Sequence, residues 1–152
     1  MKYRKPIDVV SLFTEKLGDT IDNFKVPPPI FEIMQCEIID YDEEDKSLTI
    51  KIPVLEQWQN PFGTMQGGMI DAAIDNAVGP LSLLVAPVNV TRTINTKILK
   101  PIVMELGYIY IKAKLIEEKK RRLTFEASIE DKDGVVYAIS TLVNFMEKTN
   151  ET

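Results

Sequence analysis

The chain has 152 residues, of which 45% are hydrophobic and 27% charged, a composition that predicts one soluble domain with a substantial core. Its formal net charge of -5 argues against nucleic acid as the main partner, because phosphate binding requires a basic excess. No apolar run approaches the roughly 18 residues needed to span a bilayer, and the apolar stretch near the N-terminus is too short for a signal peptide. We therefore expect no membrane partner.

Two residue counts limit the chemistry. The sequence contains no histidine, which excludes Ser-His-Asp and Cys-His triads, histidine zinc sites and any imidazole base. A single cysteine, Cys36, excludes an internal disulfide and favours a reducing compartment, so we expect a cytoplasmic protein in which this thiol is buried and inert. Any reaction is expected to use carboxylates, amides, hydroxyls and backbone dipoles, with no metal and no redox cofactor.

The first predicted element is a short amphipathic helix over residues 7–18, ended by Gly18. The three consecutive prolines 27–29 then predict an irregular linker. These features divide the chain into an N-terminal helix and linker, residues 1–30, and a main domain, residues 31–148.

The main domain is predicted to begin with two strands, over residues 31–41 and 47–53, joined by the acidic turn DEEDK. Residues 54–66 have no clear period and predict a structured loop. From Gly67 to about Val85 apolar residues cover almost every face, which is typical of a helix buried all round. Gly79-Pro80 is expected to kink this helix or end its regular part.

The rest of the chain predicts antiparallel strands. Alternating or β-branched segments then predict four strands, over residues 89–99, 106–116, 121–130 and 135–146. A helix that is apolar all round needs cover on every side, which a curved sheet and a partner molecule would provide. The pattern therefore predicts an α+β fold with an antiparallel sheet wrapped around a long central helix.

Gly67 and Gly68 stand at the start of this helix. Glycines there let the backbone approach a ligand closely, and the free N–H groups of a helix start bind developing negative charge, as in an oxyanion hole. The alternative is an ordinary glycine turn.

Asp71 and Asp75 lie four residues apart, on one side of the same apolar helix. An ionised carboxylate in an apolar interior is costly, so such groups are usually paired, hydrogen-bonded or functional. Alternatively, one or both face solvent or a subunit boundary.

The string from Asn60 to Gly68 (NPFGTMQGG), with Asp75 seven residues after its last glycine, resembles the hotdog-fold acyl-CoA thioesterases of the phenylacetate-pathway, PaaI-like type. Their usual motif is N-x-x-G-x-x-H-G-G, followed by a helix carrying Asp or Glu at that same offset. The resemblance covers roughly residues 31–147. It continues in three later features, the segment TRTINTKILKP (91–101), the strand at Gly107 and the turn at Asp133-Gly134.

The resemblance implies a hotdog fold, assembled edge to edge as a homodimer or paired again into a homotetramer. It also implies hydrolysis of an acyl thioester to free acid and thiol, with coenzyme A present only as part of the substrate. By resemblance, Gly67 and Gly68 donate N–H groups to the thioester carbonyl, and Asp75 activates water or attacks as a nucleophile. Asn60 helps to place the water or the carbonyl, and Thr91 supports the carboxylate.

The sequence departs from the family motif at Gln66, which occupies the usual place of histidine. Its amide can donate a hydrogen bond but cannot titrate near neutral pH. The alternative function is therefore a non-catalytic hotdog protein that binds acyl-CoA or a fatty-acyl ligand. Asp71 has no role in the family motif.

Further residues could bind substrate. Phe62, with Trp58, could line an acyl pocket or simply anchor the loop. Arg121 and Arg122, in the basic cluster KKRR, could bind the coenzyme A phosphates or form a solvated turn.

Gly68 and Asp75 are separated by roughly 10 Å along a helix with a rise of about 1.5 Å per residue. Both groups of one chain cannot easily serve one carbonyl, because a base must come within about 3 Å of its water. We therefore expect a site shared between two chains, with Asp75 supplied by the neighbour.

Overall fold

The structure, a computed structural model, describes residues 5–147. The helices are α1 (Val9–Leu17), α2 (Pro29–Ile33) and α3 (Gly67–Val85). The strands are β1 (Glu37–Asp42), β2 (Ser47–Pro53), β3 (Asn89–Ile98), β4 (Tyr108–Lys119), β5 (Arg122–Glu130) and β6 (Val136–Met146). Short 3-10 segments lie at Gly18–Asn23, Glu56–Trp58 and Met104–Leu106.

The six strands form one sheet in the order β1-β2-β4-β5-β6-β3, with every neighbouring pair antiparallel. Helix α3 packs against β2, β3, β4 and β5. Alternate residues of these strands point towards it, so Ile50, Ile111 and Phe125 are fully buried against the helix side chains Ile74 and Leu81. The predicted α+β fold, with an antiparallel sheet around a long central helix, is confirmed.

The central helix has the bounds that the sequence predicts. It continues through Pro80 to Val85, so the predicted break at Gly79-Pro80 does not end it. Its length and hydropathy would suffice to cross a membrane, but more than half of it is buried inside the fold. These properties are those of a core helix that the sheet must cover.

The N-terminal region differs from the prediction. The strand expected over residues 31–41 is wrong in its first half, because Pro29–Ile33 forms helix α2 and β1 begins only at Glu37. Pro29 occupies the first turn of α2, where its fixed φ favours a helix, so this proline does not belong to an irregular linker. Phe31 and Met34 are buried at helical spacing. Residues three apart lie on the same face of a helix but on opposite faces of a strand, so the burial of both fits a helix.

The first helix is part of the same core. Phe13 of α1 is buried among the core residues, and Ile7 N–H donates to the carbonyl of Ile38 in β1 (2.7 Å). The N-terminal segment therefore packs on the main domain and adds to its core.

Two phenylalanines provide a matched test of this packing. Phe125 is fully buried, whereas 89% of Phe62 is exposed. We expect Phe125→Ala to lower the free energy of unfolding by about 3–5 kcal/mol, because it leaves a cavity between sheet and helix. Phe62→Ala should change it by about 0.5 kcal/mol or less. Urea unfolding measures both, and equal effects would contradict this assignment of the core.

Candidate active site

The sheet leaves one stripe of α3 uncovered. Gly67 and Gly68 are exposed, and Asp71, Asp75 and Gly79 are partly exposed, whereas most of the remaining helix is buried. These residues recur at three- and four-residue spacing, so they lie along one side of the helix. The predicted oxyanion donors and both carboxylates therefore share one long side of α3 that residues 5–147 leave open.

The edge strand β3 runs beside this stripe and contacts Asp75. The hydroxyl of Thr91 donates a hydrogen bond to Asp75 Oδ1 (3.0 Å). Burial raises the pKa of Asp75 above its ordinary value, the bond from Thr91 opposes this, and the negative charge of Asp71 raises the pKa further. Because burial outweighs the hydrogen bond, Asp75 is a stronger base than a solvated aspartate.

A buried amide pair holds Thr91 in place. Thr91 lies opposite Asn144 of β6, and Asn144 Nδ2 donates to Asn89 Oδ1 (2.8 Å). Asn89 Nδ2 in turn donates to the carbonyl of Pro87 (2.8 Å) and approaches that of Ser82 (3.3 Å). These bonds tie the start of β3 to the end of α3. This pair was not predicted from the sequence, although Asn144 stands at an inward position of β6, next to Leu142 on the same face.

The start of α3 leaves two backbone donors free. Gln66 is the N-cap residue, and its side chain makes no capping bond. Its N–H donates to the carbonyl of Trp58 (2.9 Å), which fixes the loop against the helix start. The N–H groups of Gly67 and Gly68 have no acceptor among residues 5–147. They can therefore bind a carbonyl oxygen that becomes negative.

Asn60 organises the loop before α3. Its Oδ1 accepts from the N–H groups of Phe62 (2.9 Å) and Thr64 (3.1 Å), and its Nδ2 donates to Thr64 Oγ1 (2.8 Å). This side chain therefore shapes the loop that leads to the glycines. A direct part for Asn60 in placing water stays a prediction.

Of the predicted substrate-binding residues, Phe62 lies apart from Arg121 and Arg122. Phe62 projects from the loop before α3, whereas Arg121 and Arg122 lie at the exposed turn between β4 and β5. Arg122 pairs in register with Phe145, and Arg92, which was not predicted from the sequence, lies over that ring at 5.3 Å. Three arginines therefore surround this corner of the sheet.

Two other features, a groove on the far face of the sheet and the single thiol, contain none of the predicted site residues. A groove of about 1040 Å³ lies on the opposite face of the sheet, lined by residues such as Lys97, Lys112 and Glu126, and none of the predicted site residues lines it. Burial raises the pKa of the Cys36 thiol to about 12, so it stays protonated at neutral pH. The open stripe of α3 is therefore the candidate site.

No protein-family model and no curated protein matches the sequence. Several solved structures share its fold. A phenylacetic acid degradation-related protein from Ralstonia eutropha has a TM-score of 0.75 and 21% identity, over 89% of this chain and 98% of that one. The PaaI protein of the E. coli phenylacetic acid degradation operon has a TM-score of 0.76 and 14% identity, over 93% and 97%.

A mutant thioesterase from Pseudomonas aeruginosa has a TM-score of 0.71 and 19% identity, over 95% of this chain and 97% of that one. At such identities the likeness establishes the fold alone. The hotdog fold predicted from the PaaI-like motif is thereby confirmed.

The raised pKa of Asp75 predicts a stability effect. The folded chain keeps this proton at pH values where the unfolded chain has lost it, so stability is lost as the pH rises from about 3.8 through the raised value. We expect Asp75→Asn to raise the Tm at pH 7 by about 1–4 °C. The difference should shrink as the pH falls below the ordinary aspartate value. Calorimetry across pH 3–8 measures it, and a lower Tm of the variant at pH 7 would contradict the raised pKa.

Proposed function

We propose that this protein hydrolyses acyl thioesters of coenzyme A to the free acid and the thiol. The observation that carries the proposal is the partly buried carboxylate of Asp75, oriented by Thr91 on the same open stripe as the free amides of Gly67 and Gly68. A base and an oxyanion site are the two elements that such a hydrolysis requires. The likeness of fold to a thioesterase agrees with this function.

The proposed reaction begins with the thioester carbonyl oxygen accepting hydrogen bonds from Gly67 and Gly68. Asp75 removes a proton from a water molecule, and the hydroxide so formed attacks the carbonyl carbon. The negative oxygen of the tetrahedral intermediate stays on the glycine amides, next to the positive end of the α3 dipole. The intermediate then expels the thiolate by breaking the C–S bond, and Asp75 returns its proton to the sulfur.

The site requires two chains. Gly68 and Asp75 of one helix are about 10 Å apart along its axis, too far for one carbonyl to use both. We infer that two copies pair through their edge strands β3, so that the stripes of their α3 helices face each other across a two-fold axis. Val90 and Ile98 on that strand are about half exposed (51% and 49%), which fits an edge that another chain covers.

Coenzyme A is the carrier that fits the charges. Arg92, Arg121 and Arg122 lie at one corner of an otherwise acidic protein, close to the end of β3 that carries Thr91. Guanidinium groups bind phosphate oxygens through several charge-assisted hydrogen bonds. We assign them to the phosphates of the substrate.

Replacing the proposed base tests the chemistry. We expect Asp75→Asn to lower kcat/KM for acyl-CoA substrates by about 100- to 10,000-fold, because the amide cannot accept the proton. Asp40→Asn, an exposed carboxylate on β1, should leave turnover unchanged. Release of free thiol from a panel of acyl-CoAs measures both. A wild-type protein that binds acyl-CoA tightly but releases no thiol would instead be the non-catalytic binding protein, as the glutamine at position 66 would allow.

A mixed dimer tests whether the site is shared. Gly68→Val adds bulk beside the amide donors, and a side chain at this position has open space within one chain, so the fold should survive. Each of Gly68→Val and Asp75→Asn should be inactive alone. When the two are co-expressed, half of the dimers should be mixed and carry one intact site of two, which restores about one quarter of wild-type activity. A mixture no more active than its parents would show that each site lies within one chain.

A further inference from the structure

Asp71 is a second carboxylate in the core helix, and the mechanism above does not use it. It lies one helical turn before Asp75, on the same open stripe. The two are the only titratable residues of Gly67–Val85. Carboxylates so placed repel each other, and like charges at this spacing destabilise a helix. An asparagine would fit the same space without that repulsion.

Asp71 is not fully paired within the described residues. Its Oδ1 atom is enclosed and has no hydrogen-bond donor among residues 5–147. The inward residues of β2, β4 and β5, which face α3, are buried and apolar. Those of β3 are Thr91, Ile94, Thr96 and Ile98, and α1 presents Phe13 to the core while its charged residues Glu15 and Lys16 are exposed. Asp75, one helical turn away, is therefore the only other titratable residue on this stripe of α3.

The two carboxylates differ in how they are held. Thr91 donates to Asp75 Oδ1 and so favours its ionised form. Asp71 has no such donor at its enclosed oxygen, and its negative charge opposes the ionisation of Asp75, in the same direction as burial. The hydroxyl of Thr91 orients Asp75, while the negative charge of Asp71 keeps Asp75 a stronger base than a solvated aspartate.

We propose that Asp71 is a positioning residue for the hydrolysis, which acts through Asp75 by placing a second negative charge one helical turn from the base. This inference rests on the proposed function. A base works best when its proton affinity suits the working pH, and a charged neighbour is one means of achieving that. In a chain without histidine, with Gln66 before the helix, the carboxylate pair supplies this adjustment.

The experiment compares Asp71→Asn with Asp71→Glu, which keeps the charge. The acid limb of the pH profile of kcat/KM should move to lower pH by about 0.5 to 2 units in Asp71→Asn, the range that Coulomb's law gives for unit charges about 6 Å apart at dielectric constants of about 80 to 20. The plateau should fall about 2- to 10-fold, since a weaker base transfers the proton less well. The midpoint of the acid limb should stay close to the wild-type value in Asp71→Glu, and it should be unchanged in Asp40→Asn.

A second measurement is independent of turnover. Carbon-13 labelling of the aspartate carboxyl groups allows the Asp75 midpoint to be followed by NMR, with Asp75→Asn to assign the signal. The midpoint should fall in Asp71→Asn and persist in Asp71→Glu. An unchanged or higher midpoint in Asp71→Asn would overturn the proposal, even if its Tm changes. Absence of turnover in the wild type would remove the proposed hydrolysis, while the NMR midpoints would still decide whether the two carboxylates are coupled.

Discussion

The burial of α3 is the constraint on which the remaining structure depends. A helix with apolar residues on almost every face must be covered, and one antiparallel sheet can curve around it only until its two edges are reached. The sheet here covers the faces that carry residues such as Ile74 and Leu81, and stops at the edge strand β3. The side that remains open carries glycine and aspartate instead of large apolar residues. The same constraint that forms the core therefore determines where a second molecule can approach.

The edge strand connects the core to the candidate site. Its start is anchored by the buried pair Asn89 and Asn144, and the extra residue between Thr91 and Thr93 shifts the register of the strand. As a result Thr91 faces the helix and reaches Asp75, while Arg92 lies over the ring of Phe145. At this bulge, Thr91 orients the carboxylate of Asp75, and the adjacent Arg92 presents a cation suited to phosphate.

Several polar groups of this region lack partners within the described chain. Asp71 Oδ1 and the indole nitrogen of Trp58 are enclosed without a hydrogen bond, and Trp58 is tied to the start of α3 through its carbonyl. Buried polar atoms without partners cost free energy, so folded proteins rarely retain them without a compensating use. Together with the carboxylates of Asp71 and Asp75, these unpaired atoms make one side of an otherwise apolar helix polar.

Much of this protein can be read from the sequence, because local patterns determine local structure. The apolar period from Gly67 to Val85 and the alternation within residues 106–116 and 121–130 were sufficient to predict the central helix and the sheet, and the spacing of Asp75 from the glycines carried the family resemblance that implied the hotdog fold. They were not sufficient for α2. Phe31 and Met34 belong to a segment whose apolar residues predict a strand, but Pro29 begins a helix there. Nor could they bring Thr91 to Asp75, pair Asn89 with Asn144 or place Arg92 on Phe145. Those contacts join residues 16 to 55 positions apart, and only the register of β3 and the curvature of the sheet around α3 decide them.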